Sequence, residues 1–400
     1  MRFGRTLALP MAFAALVAGV DANAQDEIEP NADVQGSANA VPDEETFSIE
    51  VVYTADVWAN VDGGRERGVR YLHNIDLIAG LDAERAFGWN GVALHAHAIH
   101  NLDTSISELV GDFQAVSNIE TGVEATRLLE AWAAIDLGST ASLKVGLYDL
   151  NSEFDAIEAA GIFLNSSHGI GAEFAASGAS GPSIFPVTSL AMRVDHEFAP
   201  GWTVRAVALD AVPGNPLRPK RTAIDLSSRE GALLVGEVEY TGPTSRVAAG
   251  HWRYTADQPR ILNDDENGTS QGAYVLAEGL LAGASETGGS ALFGFARAGI
   301  AEAATNPVAR YFGAGLNVVQ PFGWESEHAL GVAVSWAEFG RPLRLEEGLE
   351  QREVTFELTY RHQISRHIAV QPDIQYVISP SGAPELGDAL VLGLRVSFGL

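Results

Sequence analysis

The 400-residue chain contains no cysteine, which excludes disulfides and thiolate metal sites. An oxidising compartment permits that composition as readily as any other, so it does not fix location. Beyond residues 1–24 no run approaches the ~18 apolar residues that a membrane helix requires, so a helical span is excluded. Basic residues are scarce: 25 Lys and Arg stand against 52 Asp and Glu, for a formal net charge of −27. That balance argues against nucleic acid or an anionic surface as partner. The common catalytic signatures are missing as well: Gly-x-Ser-x-Gly, a phosphate loop and His-Glu-x-x-His.

Residues 1–24 read as a secretory signal. Arg2 and Arg5 form a positive start, Leu7 to Val20 is a short apolar stretch interrupted by Pro10, and Ala22-Asn23-Ala24 gives a small-x-small cleavage site. The mature chain is expected to begin near Gln25. Residues 25–46 are acidic and carry two prolines, which predicts a weakly ordered or disordered periplasmic lead-in. The rest, 47–400, reads as one domain.

The strongest pattern lies near the C-terminus. Val354, Phe356, Leu358 and Tyr360 share one face, and Glu353, Thr355, Glu357, Thr359 and Arg361 the other. Ile374, Tyr376 and Ile378 alternate with Asp373 and Gln375; Leu394, Val396 and Phe398 alternate with Arg395 and Ser397. A period of two with charge on the polar face describes β-strands separating two media. Candidate strands of this kind run from 47–60 to 389–399. Some are joined by short turns (Gly138-Ser139-Thr140, Ala199-Pro200-Gly201, Thr241-Gly242-Pro243). Others are joined by long polar stretches (102–126, 151–187, 212–229, 255–271, 338–351, 379–388). The predicted fold is all-β: a transmembrane antiparallel β-barrel of about 16 strands.

With the polar faces read as lumen, Glu130 and Trp132 point inward, as does Lys144. Arg193 and Asp195 share a face, with Arg205 on the next strand. Glu237 and Glu239 follow, then His251 and Arg253, with Trp252 and Tyr254 opposite. Glu353, Glu357, Asp373 and Arg395 complete the wall. A lumen of both signs suits sugars, whose hydroxyls donate to carboxylates and accept from guanidinium groups; a ring of one sign would select ions. These charges could equally solvate a watery channel and pair with one another.

The stretch 149–171 is too long for a turn. Asp149, Glu153, Asp155 and Glu158 cluster, followed by Asn165 and His168, with Ile157, Phe163 and Leu164 available for burial. It can pack outside as an extracellular loop, or fold against the inner wall and narrow the pore as its constriction. The second placement is preferred, with its acids toward the channel, because an open barrel of ~16 strands leaves a wide aqueous pore. Two tempting metal motifs fail. Asn263-Asp264-Asp265-Glu266-Asn267-Gly268 opens like a calcium loop, but its twelfth position is Tyr274. His95 and His97 share a strand face without an evident third ligand, and read as lumenal histidines. No metal and no cofactor is expected.

The segments GDFQAVSNIE (111–120), RLLEAW (127–132), GLYDLNSEFD (146–155), FLNSSHGIG (163–171), SGASGPSIFPVTSL (177–190) and VPGNP (212–216), with QPDIQYV and DALVLGLR near the end, resemble the carbohydrate-selective porin family of the OprB type. The resemblance spans about Phe47 to Leu400. It implies a monomeric 16-stranded barrel in the Gram-negative outer membrane that admits small carbohydrates by passive diffusion. Its other partners would be outer-membrane lipid and the barrel-insertion machinery. One departure is the ending Phe398-Gly399-Leu400, where such barrels usually finish on an aromatic residue; Phe398 keeps the outward parity. Two other readings stay open: a barrel enzyme hydrolysing lipid, and a soluble secreted β domain binding polysaccharide.

Overall fold

The structure is a computed structural model that describes residues 46–283, 289–324 and 326–400. The expected signal and almost all of the acidic lead-in lie outside the described residues. The strands are β1 (Phe47–Gly64), β2 (Gly68–Asp82), β3 (Val92–Asn101), β4 (Ala125–Asp136), β5 (Ala141–Tyr148), β6 (Ser189–Ala199), β7 (Trp202–Asp210), β8 (Ala232–Thr241) and β9 (Ser245–Tyr254). A small hairpin follows, β10 (Gln258–Arg260) and β11 (Asn263–Gly268). Then come β12 (Gln271–Gly283), β13 (Ala291–Ala301), β14 (Val308–Val319), β15 (His328–Phe339), β16 (Arg352–Ser365), β17 (Ile368–Ile378) and β18 (Gly387–Gly399).

All but β10 and β11 form one closed barrel in which each strand pairs with its neighbours. The count of barrel strands is sixteen, as the alternation predicts. Closure is made by β1, which pairs antiparallel with β2 on one side and β18 on the other, Asp56 lying opposite Arg395. The extreme C-terminus joins this seam: the Leu400 N–H donates to Val51 O at 3.0 Å and the Val51 N–H to Leu400 O at 3.2 Å. Short turns at 137–140, 200–201, 242–244 and 366–367 lie at the end of the barrel where β1 begins and β18 ends, and the long connections lie at the other end. The stretch that opens like a calcium loop is the exposed outer strand of the hairpin.

The outer surface is the apolar one. Phe356, Leu358, Ile374, Tyr376, Leu392, Leu394 and Val396 are exposed, while Thr355, Glu357, Thr359, Asp373 and Gln375, their neighbours in sequence, are buried inside. Aromatic residues gather near the two rims. Near the turn end, Phe87 lies 5.4 Å from Trp89, Trp202 5.0 Å from Tyr240, and Phe322 5.1 Å from Trp324, ring to ring. Near the loop end stand the outward Tyr71, Phe312 and Tyr376. An apolar band between aromatic girdles is the surface of a barrel in lipid, and it overturns the soluble secreted reading.

Phe356 sits mid-strand, opposite Val334 and Tyr376. Phe356→Arg is expected to destabilise the barrel by about 2–4 kcal/mol, the depth-dependent cost of a lipid-facing cation. Phe356→Leu should change little. Denaturant titration of folding into vesicles checks this; equal stability of the two variants would show that the face is not in hydrocarbon.

Candidate functional site

Two long connections turn back into the barrel. The first, 149–188, begins at mid-height because β5 is only eight residues long. Where β5 ends, the Asp149 N–H donates to Glu130 Oε1 on the wall at 3.2 Å. The chain then runs through helical turns at Leu150–Ser152, Glu158–Ala160, Ser166–His168 and Ala172–Ala175. It rejoins the wall where Thr188 Oγ1 donates to Leu129 O and Ser183 Oγ donates to Tyr148 O at 2.7 Å. Inward folding, the preferred placement, is what the structure has.

The direction of the acids is not as expected. Glu153 and Asp155 point at the wall rather than the channel. Glu153 receives Lys144 Nζ at 3.0 Å and a fork from Arg193. Asp155 receives Arg297 through Nε and Nη2, both at 2.6 Å, and Glu173 takes the rest of the same guanidinium at 2.9 and 2.7 Å. The reason is the excess of carboxylates: a loop rich in acid enters the lumen only where cations of the wall compensate it. Asp155 adopts φ +54°, a left-handed conformation that Asp tolerates better than most residues. Gly171 and Gly299 make room for the clamp. A Cβ at Gly171 would lie 1.7 Å from Arg297 Nη1, and one at Gly299 1.7 Å from Glu173 Oε1. Glu158 alone of the loop's predicted acids is exposed.

Asn165 and His168 dock the loop rather than line a pore. The Leu164 and Asn165 N–H groups donate to Glu357 at 2.5 and 3.1 Å, and Asn165 Nδ2 donates to Gln375 Oε1 at 3.2 Å. His168 is wedged between Phe163 and Phe295, and burial holds its pKa down at about 3, so the ring is neutral. Phe174 stacks on Trp252 at 5.0 Å and 2°.

The second inward connection is 102–124, which the sequence reading left as an ordinary polar loop. Ile106, Leu109, Val110 and Val116 are buried against Trp58, Leu72, Val377 and Val391 of the inner wall. Glu353 accepts the Phe113 and Gln114 N–H groups at 2.7 and 3.0 Å, and Gln375 Nε2 donates to Val116 O at 2.8 Å. The two loops also bond each other, Asn118 N–H to Leu164 O at 2.8 Å and Ser166 N–H to Ala115 O at 3.0 Å.

Of the wall residues read from sequence, Glu130, Trp132, Lys144, Arg193, Asp195, Arg205, Glu237, Glu357, Asp373 and Arg395 lie on the inner face. Arg253 does not. On β9 the inward positions are Ala248, Gly250, Trp252 and Tyr254, while His251 and Arg253 are exposed outside. Arg253 lies opposite Leu234 and Gln271 near the loop end of the strand. Its long stem can lie on apolar surface there while the guanidinium reaches the headgroup layer. Trp252 and Tyr254 turn inward because Phe174 and Ser177 of the folded-in loop meet them. A one-residue slip of parity reverses a whole strand, and it hid Arg246. That residue donates to Glu239 at 2.8 Å and Glu278 at 2.7 Å. Arg205 bonds Glu237 at 3.1 Å and approaches Glu239 at 3.7 Å. Arg205, Glu239, Arg246 and Glu278 thus form a ladder of alternating charge across β7, β8, β9 and β12. His95 and His97 face the same lumen, with Glu130 set beside them by the pairing of β3 and β4.

A closed barrel with a lipid-facing apolar band, a polar interior and its own loops folded inside defines an outer-membrane diffusion channel. The sequence model of the carbohydrate-selective porin, OprB family, matches residues 66–400, and the chain belongs to that family. Porin B of Pseudomonas aeruginosa is 22% identical over 445 residues, covering 98% of this chain and 97% of that protein. The high-pH structure of Pseudomonas putida OprB superimposes with a TM-score of 0.79 at 20% identity, over 89% of this chain and 94% of that one. The channel DcaP of Acinetobacter baumannii gives 0.56 at 8% identity, over 88% and 97%.

Two outcomes test the anchoring of the 149–188 loop. Arg297→Ala leaves Asp155 and Glu173 buried without a cation and should cost about 3–5 kcal/mol, with a rise in single-channel conductance as the loop loosens. An unchanged conductance in a folded variant would place the clamp outside the constriction. Burial opposes ionisation of Glu153, but Lys144 and Arg193 outweigh it and set its pKa at about 2, below the ordinary 4.5. Its contribution is therefore complete above pH 4.5 and is lost as pH falls toward about 2. The melting temperature of the parent minus that of Glu153→Gln should shrink over that window; a difference independent of pH would contradict the pairing.

Proposed function

We propose that the barrel works as a monomer and passes small carbohydrates down their gradient, the selecting surface being the charge ladder beside the folded-in loop. Side-chain exposure carries this reading. Arg205 and Arg246 each keep 15% exposure, Glu239 13% and Asp195 27%, whereas Arg297 keeps 2% and Asp155 none. The first group stays within reach of a solute, although Arg205 and Arg246 also donate to the loop carbonyls of Glu153 and Ala156 at 3.0 and 2.8 Å; the second is enclosed and serves only to hold the loop. Alternating donors and acceptors match the hydroxyls of a sugar, and charge-assisted bonds make the match worth more than neutral contacts. The mixture of signs also keeps the lumen from acting as a filter for one ion type.

Membership in a family of channels stands against the lipid-hydrolase reading, and we assign no catalytic step to the chain. Residues 1–24 would direct export and be removed. The terminal strand, with Phe398 outward, would present the aromatic residue used by the insertion machinery.

Planar-bilayer recording with a panel of sugars tests the proposal. Arg205→Gln and Arg246→Gln should each weaken sugar block of the ion current roughly tenfold, the loss of one hydrogen bond to a charged group. Arg253→Gln, on the outer face, should leave the block unchanged. If the two ladder variants block like the parent, recognition lies elsewhere in the lumen and the reading of the ladder falls.

A further inference from the structure

His95 and His97 point into the lumen from β3. The register of β3 on β4 puts Trp132 opposite His95 and Glu130 opposite His97. One ring nitrogen from each histidine and one carboxylate oxygen of Glu130 lie within 4.8 Å of one another, and all three residues are buried. Small side-chain rotations would bring such a set to the bond lengths of about 2.0–2.2 Å that nitrogen and oxygen ligands make to a single ion.

A second observation points to a ligand. Neither ring nitrogen of His95 has a hydrogen-bond partner, although the residue is only 9% exposed. Its Nε2 faces Glu130 Oε2 at 3.6 Å, beyond hydrogen-bond reach. Buried polar groups are otherwise almost always satisfied. Its neighbours are held in place by other bonds. Glu130 Oε1 accepts Trp132 Nε1 at 3.1 Å and the Asp149 N–H at 3.2 Å, which leaves Oε2 toward the histidines. His97 Nε2 is held by Asp76 Oδ1 at 2.9 Å, and Asn74 Nδ2 donates to the other Asp76 oxygen at 2.5 Å. A carboxylate behind an imidazole, itself held by an amide, is how metal-ligating histidines are oriented. The Trp132 ring stacks on His95 with 4.6 Å between centroids, and Lys144 Nζ lies 4.0 Å over the same indole.

We propose that His95, His97 and Glu130 bind a divalent transition ion of the zinc–copper class. Two imidazoles and one carboxylate suit zinc, copper or nickel, whereas calcium and magnesium prefer all-oxygen sets. The third ligand could not be seen from sequence, because it comes from another strand and depends on the register. An ion here sits where the 149–188 loop leaves the wall, so it ties the root of that loop to β3 and β4.

The test uses the full-length barrel folded in detergent, with Zn²⁺ titrated calorimetrically and Cu²⁺ followed by electron paramagnetic resonance. The parent should bind one Zn²⁺ saturably, and bound Cu²⁺ should show hyperfine coupling to two imidazole nitrogens. His95→Ala and His97→Ala should each weaken Zn²⁺ binding at least tenfold, and Asp76→Asn should weaken it ~10–100-fold, as outer-shell partners do. His251→Ala, outside the barrel, should bind like the parent. No saturable binding by the parent, or a copper spectrum without nitrogen coupling, overturns the site and needs no variant to fold. Unchanged affinity in a folded His95→Ala/His97→Ala double variant overturns it equally.

Discussion

Hydrocarbon offers no hydrogen bonds, so every backbone N–H and C=O that crosses it must be satisfied within the protein. Closure of β1 on β18 meets that demand for the wall. The same demand then recurs inside. Two long connections carry irregular backbone into a crowded lumen, and their amides need partners there too. The inner faces of β16 and β17 supply them: Glu353 and Gln375 take the 102–124 connection, while Glu357 and Gln371 take 149–188. These positions lie four apart along each strand, so all share the lumenal face. What reads in sequence as a polar stripe for solutes is in large part a docking rail for backbone.

Charge follows from that arrangement. The chain is strongly acidic, and Glu153, Asp155 and Glu173 of the inward loop are buried inside, where an uncompensated carboxylate is expensive. Lys144, Arg193 and Arg297 neutralise Glu153, Asp155 and Glu173. Buried pairs of this kind recover little net stability after desolvation, but breaking one is costly. They therefore position the loop more than they strengthen the barrel. The cations left over for solute are fewer than the wall's inventory suggests, and Arg205 and Arg246 are two that keep both pairing and access.

The strands were legible because the period of two reports a difference between media, which is local. The sixteen barrel strands can be placed that way, with edges moving by a few residues. Facing was legible where the lipid face is plainly apolar, as in Phe356 and Leu358 against Glu357. It failed on β9, where Trp252 and Tyr254 look made for lipid. Their partners, Phe174 and Ser177, lie far off in the chain on a loop whose position no alternation encodes. The Arg297 clamp on Asp155 spans 142 residues, and the meeting of Glu130 with His95 and His97 depends on register. Motifs carried more than periodicity here: GDFQAVSNIE and FLNSSHGIG are the parts of the two inward loops that bond each other and the wall.

The seam between the first and last strands bears on the order of assembly. Asp56 and Arg395, 339 positions apart, meet at 2.8 and 2.9 Å. Ser117 Oγ reaches Asp56 at 2.8 Å, and Arg395 Nη2 reaches Asn118 at 2.7 Å. Joining segments this distant in the chain is the slowest kind of contact to make. The 102–124 segment completes this pair from inside the barrel, because Ser117 and Asn118 bond both of its members. A barrel that zipped up with that segment outside would leave the Asp56–Arg395 pair without Ser117 and Asn118, and so would reopen more readily. The first and last strands thus work as a latch whose side-chain bolt is completed by the packed interior.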